Sequence, residues 1–363
     1  MSSAVTVLAS EPIPTAVIGV GLIGFGLAGA SFHAPLVAAE PRMRLAAVAS
    51  SRAEAVRASH PDVAVHPTPE ALIADPGVDL VVIATPNRLH APLARAALEA
   101  GRHVVVDKPL VADPADGPAL VALASARGRM LSVFHNRRWD GDFLTAQRVL
   151  RSGELGAVRY AELCWDRHRP AIKPGWREEG GEGAGVLADL GPHLMDQALR
   201  LFGRPDAVAG DVVAQREGAR ADDWFDVTLH YGATRVRLAA STLVADPRPR
   251  FALHGDRGSF VKHGLDPQEA RLRAGGSAGR SANDDPHDLR GRLTIGDAEP
   301  ELVPTEPGDW THFYAGMADA ILDGAAPPVD PADAVLGLEL IALARRSAAE
   351  GRLMEAPAED PRP

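Results

Sequence analysis

The chain has 363 residues, enough for two domains with substantial cores, and its 46% hydrophobic and 24% charged residues are ordinary for a globular protein. A formal net charge of −10 argues against a nucleic-acid partner or an anionic membrane surface. The single cysteine, Cys164, excludes an intrachain disulfide and a cysteine-rich metal site, and a cytoplasmic location is expected.

The first informative stretch, residues 12–39, contains no Asp, Glu, Lys or Arg, which raises the question of a membrane segment. Glycines at 19, 21, 24, 26 and 29, with Pro12 and Pro14 just before them, make a poor spanning helix. A signal peptide would need a positively charged start, and none is present. The same glycines form two overlapping G-x-G-x-x-G matches. The register Gly19, Gly21, Gly24 leaves only 15–18 as a strand. The register Gly24, Gly26, Gly29 leaves 16–23 as a strand and 28–39 as a helix. The second register is therefore expected to cradle a dinucleotide pyrophosphate, with Phe25 and Ala28 in the same turn. In that register Gly26→Val should abolish cofactor binding, and Gly19→Val should act more mildly, through strand packing.

The next strand, 44–49, ends in Ser50, Ser51 and Arg52. NAD-specific sites usually carry Asp or Glu there, bonded to the ribose 2′-hydroxyl. Two hydroxyls and a guanidinium suit a 2′-phosphate instead, so NADP is expected, with NAD as second choice. The same three residues also read as an ordinary helix N-cap. Apolar run 78–86, helix 91–100, strand 103–109, helix 115–127 and strand 130–134 continue the alternation. That pattern predicts a doubly wound parallel sheet. Ligands sit at the carboxyl ends of such strands, and Thr85, Pro86, Asn87, Lys108 and Asn136 all fall there.

Beyond residue 137 the texture changes. A helix at 140–152 precedes strands at 158–166, 207–216, 225–231, 235–243, 251–254 and 259–262, and a helix at 187–202 interrupts them. Strands in succession predict an open, mostly antiparallel sheet. An uncovered face of that sheet makes a homodimer or homotetramer the expected assembly. Helices at 309–322 and 331–350 close the chain, 275–290 reads as an exposed loop, and 1–13 and 355–363 read as disordered. The expected domains are 14–136 and 137–354.

The stretch "GGEGAGVLADLGPHLMDQALRLFG", 180–203, leads a glycine-rich loop into a helix carrying Asp189, His193 and Asp196. Asp189 and His193 are four apart and share one helix face. Alone, such a pair also reads as a surface ion pair or as a packing face. No third ligand suggests a metal, and none is expected.

Taken together, "GFGLAG", "ATPNRLHAPLARAALEAGRHVVVDKPL", "FHNRRWDGDF", "DLGPH" and the tail "DAILDGAAPPVDPADAVLGLELIALARRSAAEGR" resemble the Gfo/Idh/MocA oxidoreductase family over nearly the whole chain. One departure is Asp107-Lys108-Pro109, where the family usually has Glu-Lys-Pro. "FHAPL", "FHNRRWD" and "GLDPQEARL" are similar to a branch that includes NADP-dependent scyllo-inositol dehydrogenases. The resemblance implies a Rossmann domain of α/β type followed by an α+β domain, and hydride transfer between a nicotinamide and a secondary alcohol or ketone of a sugar or cyclitol. It implies Lys108, His193 and Asp189 as catalytic, and Asn87, His90, Lys108 and Asn136 along the cofactor. Arg137, Arg138, Trp176 and Arg177 are looser candidates for the pocket wall. A histidine with an ordinary pKa near 6.5 suits the base that takes a hydroxyl proton. A non-catalytic cofactor-binding sensor and a glycoside hydrolase that retains its nicotinamide stay open as other readings.

Overall fold

The computed structural model describes residues 17–175, 178–181, 183–280, 286 and 289–357. The amino-terminal half alternates strand and helix. β1 (Ile18–Ile23) leads into a π-helical turn (Gly29–His33) and α1 (Ala34–Ala38). β2 (Met43–Ala49), α2 (Ala53–Ser59), β3 (Ala64–His66) and α3 (Pro69–Ile73) follow. Then come β4 (Leu80–Ile83), α4 (His90–Glu99), β5 (His103–Val106), α5 (Asp116–Ala126) and β6 (Leu131–Val133). The six strands are parallel, in the order β3-β2-β1-β4-β5-β6. This is the Rossmann order, with the topological switch between β1 and β4. Every residue of β1 and β4 is buried, as strands covered on both faces require.

The second half opens with α6 (Gly141–Ser152), β7 (Val158–Asp166) and α7 (Val186–Phe202). β8 (Ala207–Val213), β9 (Trp224–Tyr231), β10 (Thr234–Ser241), β11 (Phe251–Gly255) and β12 (Gly258–Lys262) come next. The chain ends with α8 (Gln268–Arg273), β13 (Gly291–Ile295), β14 (Glu301–Val303), α9 (Thr311–Asp323), α10 (Pro331–Glu350) and β15 (Met354–Glu355). They build a nine-stranded sheet, β14-β13-β12-β11-β7-β10-β9-β8-β15, in which β7 and β10 are parallel and the other pairs antiparallel. Apolar residues of its inner face, Phe225, Leu229, Leu238 and Phe251, pack with Leu190 and Leu194 of α7 in a second core. The other face carries Glu162, Asp226 and Arg237, tied by ion pairs.

Several expectations need adjustment. The elements β3, α3, α8, β13, β14 and β15 are too short to stand out as periodic runs in the sequence, and α2 follows the residues that read as a helix N-cap. Glu355, expected in a disordered tail, pairs with Ala207 through β15. The remainder of that tail from 358, the stretch 1–13, and residues 281–285, 287 and 288 of the expected loop at 275–290 lie outside the described residues. The second domain does not pack as one unit. Trp310, Phe313, Tyr314 and Met317 of the α9 region are fully buried and join the core of the parallel sheet, where Phe134 stands edge-on to Phe313 at 5.0 Å.

Among those rings sits His33, fully buried, with Nδ1 2.7 Å from the Tyr314 hydroxyl and Nε2 without a partner among the described residues. Burial lowers its pKa to about 4, Asp107 opposing and His90 adding a little. A depressed histidine leaves the unfolded chain binding the extra proton between pH 6.5 and about 4, so stability falls as pH falls through that window. Against a His33→Asn variant, the wild type should lose about 3 kcal/mol of relative stability between pH 7 and 4, read by urea unfolding. A wild type that gained on the variant over this range would contradict the buried neutral ring.

Candidate active site

The carboxyl edge of β1 decides the glycine register. Gly24 has φ +99°, and its N–H donates to the Ala49 carbonyl at 2.9 Å. A Cβ there would lie 2.4 Å from the Ala84 carbonyl oxygen, and one on Gly29 would lie 2.1 Å from the Gly24 carbonyl oxygen. A Cβ on Gly26 would meet no protein atom within 4 Å. Gly24 therefore makes the turn, Gly29 lets the helix pack on it, and Gly26 faces open space where a ligand backbone can approach. The helix starts as a π turn at Gly29–His33, a form concentrated at functional sites. Gly19 and Gly21 are interior to β1. The expectation that Gly19→Val is mild needs correction, because its Cβ would lie 1.9 Å from the Gly77 carbonyl oxygen. Gly26→Val is expected to prevent cofactor binding with little change in melting temperature, whereas Gly19→Val should lower the melting temperature. Nicotinamide fluorescence titration and thermal unfolding separate the two, and the reverse pattern would place the register one turn away.

At the end of β2, Ser50 Oγ accepts the Arg52 N–H at 3.0 Å, and Ser51 and Arg52 are exposed. Arg52 occupies the N-cap position of α2, but no side chain caps that helix. The hydroxyl and guanidinium of Ser51 and Arg52 thus face solvent beside the glycine turn. Next to that turn, Thr85 Oγ1 is buried with no hydrogen-bond partner among the described residues. An open cradle and an orphaned hydroxyl fit a dinucleotide lying across the strand ends.

His90 is placed differently from its expected position along the cofactor. It is 1% exposed, with Nδ1 2.7 Å from the Pro109 carbonyl oxygen and Nε2 2.9 Å from the Thr85 carbonyl oxygen. It ties the loop after β4 to the loop after β5 and works from behind. Asn87 opens a short 3-10 turn after Pro86, and Asn136 begins another after β6.

The loop after β5 carries Lys108. Its backbone N–H donates to the Asp107 carboxylate at 2.8 Å, and its ammonium donates to Asp189 twice, to the backbone carbonyl at 2.6 Å and to Oδ1 at 3.0 Å. Arg167, just past β7, donates to Asp189 Oδ2 at 3.2 Å. One carboxylate thus bridges a cation from each sheet. One turn along α7, His193 is 7% exposed, with its ring centroid 5.8 Å from Trp165 and 6.4 Å from His135. Burial pushes the His193 pKa well below its ordinary value, and the positive charges of Lys108 and Arg137 push the same way against Asp189. The ring is therefore neutral at pH 7 and able to take up a proton. Its Nδ1 is buried and has no partner among the described residues.

The arginines expected in the pocket wall divide. Arg137 is 5% exposed, pairs with Asp140 at 3.2 Å and with Glu269, and lies over the rings of Trp165 at 4.8 Å and Trp310 at 4.9 Å. It braces the floor under His193. Arg138 leaves the pocket wall altogether, since its guanidinium grips Asp196 at 2.6–3.1 Å and reaches Asp333 at 3.4 Å. It clamps α7 to the first turn of α10. Trp176 and Arg177 lie outside the described residues. Sequence reasoning missed His135, Trp165 and Arg167. His135 lies at a strand end one residue before Asn136, so the strand-end rule could have flagged it. Nothing in the spacing links Trp165 or Arg167 to α7.

Comparison with known proteins bears on this arrangement. Residues 18–135 match the oxidoreductase family model with an NAD-binding Rossmann fold, and residues 143–261 match the GFO/IDH/MocA C-terminal domain. The chain belongs to the Gfo/Idh/MocA oxidoreductase family. Among its relatives in the family, the uncharacterized oxidoreductase YdgJ of Escherichia coli is 47% identical over 91% of this chain and 96% of its own. The scyllo-inositol 2-dehydrogenase (NADP(+)) IolW of Bacillus subtilis is 38% identical over 92% and 95%. A solved structure of an oxidoreductase from Bacillus cereus superposes with a TM-score of 0.86 at 31% identity, covering 95% of this chain and 100% of the other. As a member of that family the protein is an oxidoreductase with an NAD-binding Rossmann domain. Among the described residues no helix is long and apolar enough to cross a membrane.

Proposed function

We propose that the protein is an NADP-dependent oxidoreductase of a sugar or cyclitol, with Lys108, Asp189 and His193 as its catalytic residues. The observation that carries this reading is the bridge from Lys108 to Asp189 across the two sheets, one helical turn from the neutral His193. The glycine turn from Gly24 through Phe25, Gly26 and Ala28 to Gly29 would hold the pyrophosphate, with Thr85, Pro86, Asn87 and Asn136 along the strand ends. When bound, the nicotinamide accepts or supplies a hydride. His193 takes the hydroxyl proton of the alcohol on oxidation and returns it on reduction. Lys108 donates to the same oxygen where negative charge develops, and Asp189 holds the ammonium in place through Oδ1. The names of IolW and of D-glucoside 3-dehydrogenase of Escherichia coli support a polyol or sugar as substrate.

The cofactor choice rests on Ser50, Ser51 and Arg52, since no carboxylate stands at the end of β2. The double substitution Ser51→Asp with Arg52→Ala should weaken NADP far more than NAD, each lost charge-assisted bond contributing about 1.5–3 kcal/mol. Equal weakening of both cofactors in a binding titration would mean that the 2′-phosphate is not read there. The function itself is tested by a panel of cyclitols and aldoses followed by nicotinamide absorbance. Turnover of at least one supports the reading, and silence across the panel from cofactor-loaded protein removes it in favour of a sensor.

A further inference from the structure

The strand β7 does not end its pairing at Asp166. The Arg167 N–H donates to the Ser241 carbonyl at 2.8 Å, the Arg169 N–H donates to the Thr242 carbonyl at 2.6 Å, and His168 bridges Leu243. The backbone therefore stays extended, and alternate side chains share one face. Trp165 and Arg167 on that face meet His193 and Asp189. Arg169, the next residue on the same face, is exposed at the mouth of the site. Opposite it, Glu269 of α8 pairs with Arg137 and with Arg273 at 3.2 Å.

The charges at this mouth do not balance among the described residues. Lys108, Arg167, Arg169 and Arg273 face Asp189 and Glu269. Asp189 is already engaged by Lys108 and Arg167, and Glu269 by Arg137 and Arg273. The guanidinium of Arg169 makes no ion pair or hydrogen bond among the described residues, in a protein whose overall charge is −10. Burial and the like charges of Arg167 and Arg273 hold its pKa below the ordinary value, with Asp189 and Glu269 opposing. The cofactor's pyrophosphate does not account for this excess. Its cradle lies at the end of β1, and β5, whose following loop carries Lys108, is two strands away in the sheet, about 10 Å at the usual strand spacing.

We propose that the substrate carries a carboxylate or phosphate substituent, which Arg169 holds at the mouth of the site while Lys108 and His193 meet the reacting alcohol. The proposal rests on the dehydrogenase reading above and narrows it from sugars in general to acidic or phosphorylated ones. Both substituents offer two oxygens to the guanidinium fork, and that geometry suits Arg better than Lys.

The test compares D-glucose, D-glucuronate and D-glucose 6-phosphate, and myo-inositol beside its monophosphate, as substrates and as ligands of the NADP-loaded protein. An anionic member should exceed its neutral partner by about 10–100-fold in kcat/KM or in affinity, the factor of one charge-assisted bond. The uronate and phosphate arms show which group is read. Arg169→Ala should bring the ratio close to one, Arg169→Lys should restore part of it, and added salt should reduce it. Equal handling of neutral and anionic partners, or a preference that survives Arg169→Ala, would overturn the proposal while leaving the dehydrogenase reading intact. Arg169-dependent binding of the anions without turnover of any alcohol would keep Arg169 as the anion contact and remove the dehydrogenase reading, and with it the part of the proposal that makes the anion a substrate. No turnover and no binding would remove both.

Discussion

Replacing His193 by alanine is expected to lower turnover by about 10²–10⁴-fold with cofactor affinity nearly unchanged, the range that a positioned proton-transfer group contributes. Burial is the first reason to expect this, because it keeps the ring neutral and able to accept a proton. The ring also stands on a rigid support, with Trp165 beside it at 5.8 Å and Arg137 stacked on the same indole. The depressed pKa carries a sign. The active form for oxidation is the neutral ring, so the acid limb of kcat/KM against pH should lie below the ordinary histidine value of 6.5. It should vanish in His193→Ala. A limb above 6.5, or one retained by the variant, would assign the proton transfer to another group.

Lys108 is the second large effect. Removing one preorganised donor to a developing oxyanion typically costs about 10²–10³-fold, and Lys108→Ala should fall in that range. The variant also removes the ammonium that holds Asp189 Oδ1 while Arg167 still donates to Oδ2, so the carboxylate should shift and KM should rise with the fall in kcat. Lys108→Arg is the sharper comparison. The planar guanidinium keeps the charge but presents donors in a different shape. It is expected to fail at the site because the ammonium meets a carbonyl at 2.6 Å and a carboxylate oxygen at 3.0 Å from one point. Steady-state kinetics on both variants checks this. A working Lys108→Arg enzyme would mean that positive charge alone suffices.

Much of this site was legible in the sequence because its parts sit at places that local rules mark. Gly24, Gly26 and Gly29 follow a buried strand, Lys108 follows another, and Asp189 and His193 are one helical turn apart. The long strands of the second sheet were legible for the same reason. The parts contributed by tertiary contact were not. His90 looks like a ligand-facing residue beside the ATPN turn, yet its buried ring lies between two backbone carbonyl oxygens, those of Pro109 and Thr85. Arg138 follows Arg137 in "NRRW", but a bidentate grip on Asp196 turns it into the helix interface. Trp165 and Arg167 reach the site because β7 runs parallel to β10 and continues past its end, a pairing between residues some seventy-five apart that periodicity does not encode. The return of α9 to the first core depends on aromatic packing around His33 and Phe134, again beyond any local pattern.

The central claim is that Lys108, Asp189 and His193 promote hydride transfer between an alcohol carbon and the nicotinamide. The most direct measurement follows deuterium from the best substrate of the panel, labelled at its carbinol carbon, into NADP, with the cofactor analysed by mass. The account predicts that the wild type delivers one deuterium to each reduced nicotinamide, and that a protein carrying both Lys108→Ala and His193→Ala delivers almost none at the same cofactor occupancy. Reduced cofactor without deuterium, or equal transfer by the doubly substituted protein, would contradict it.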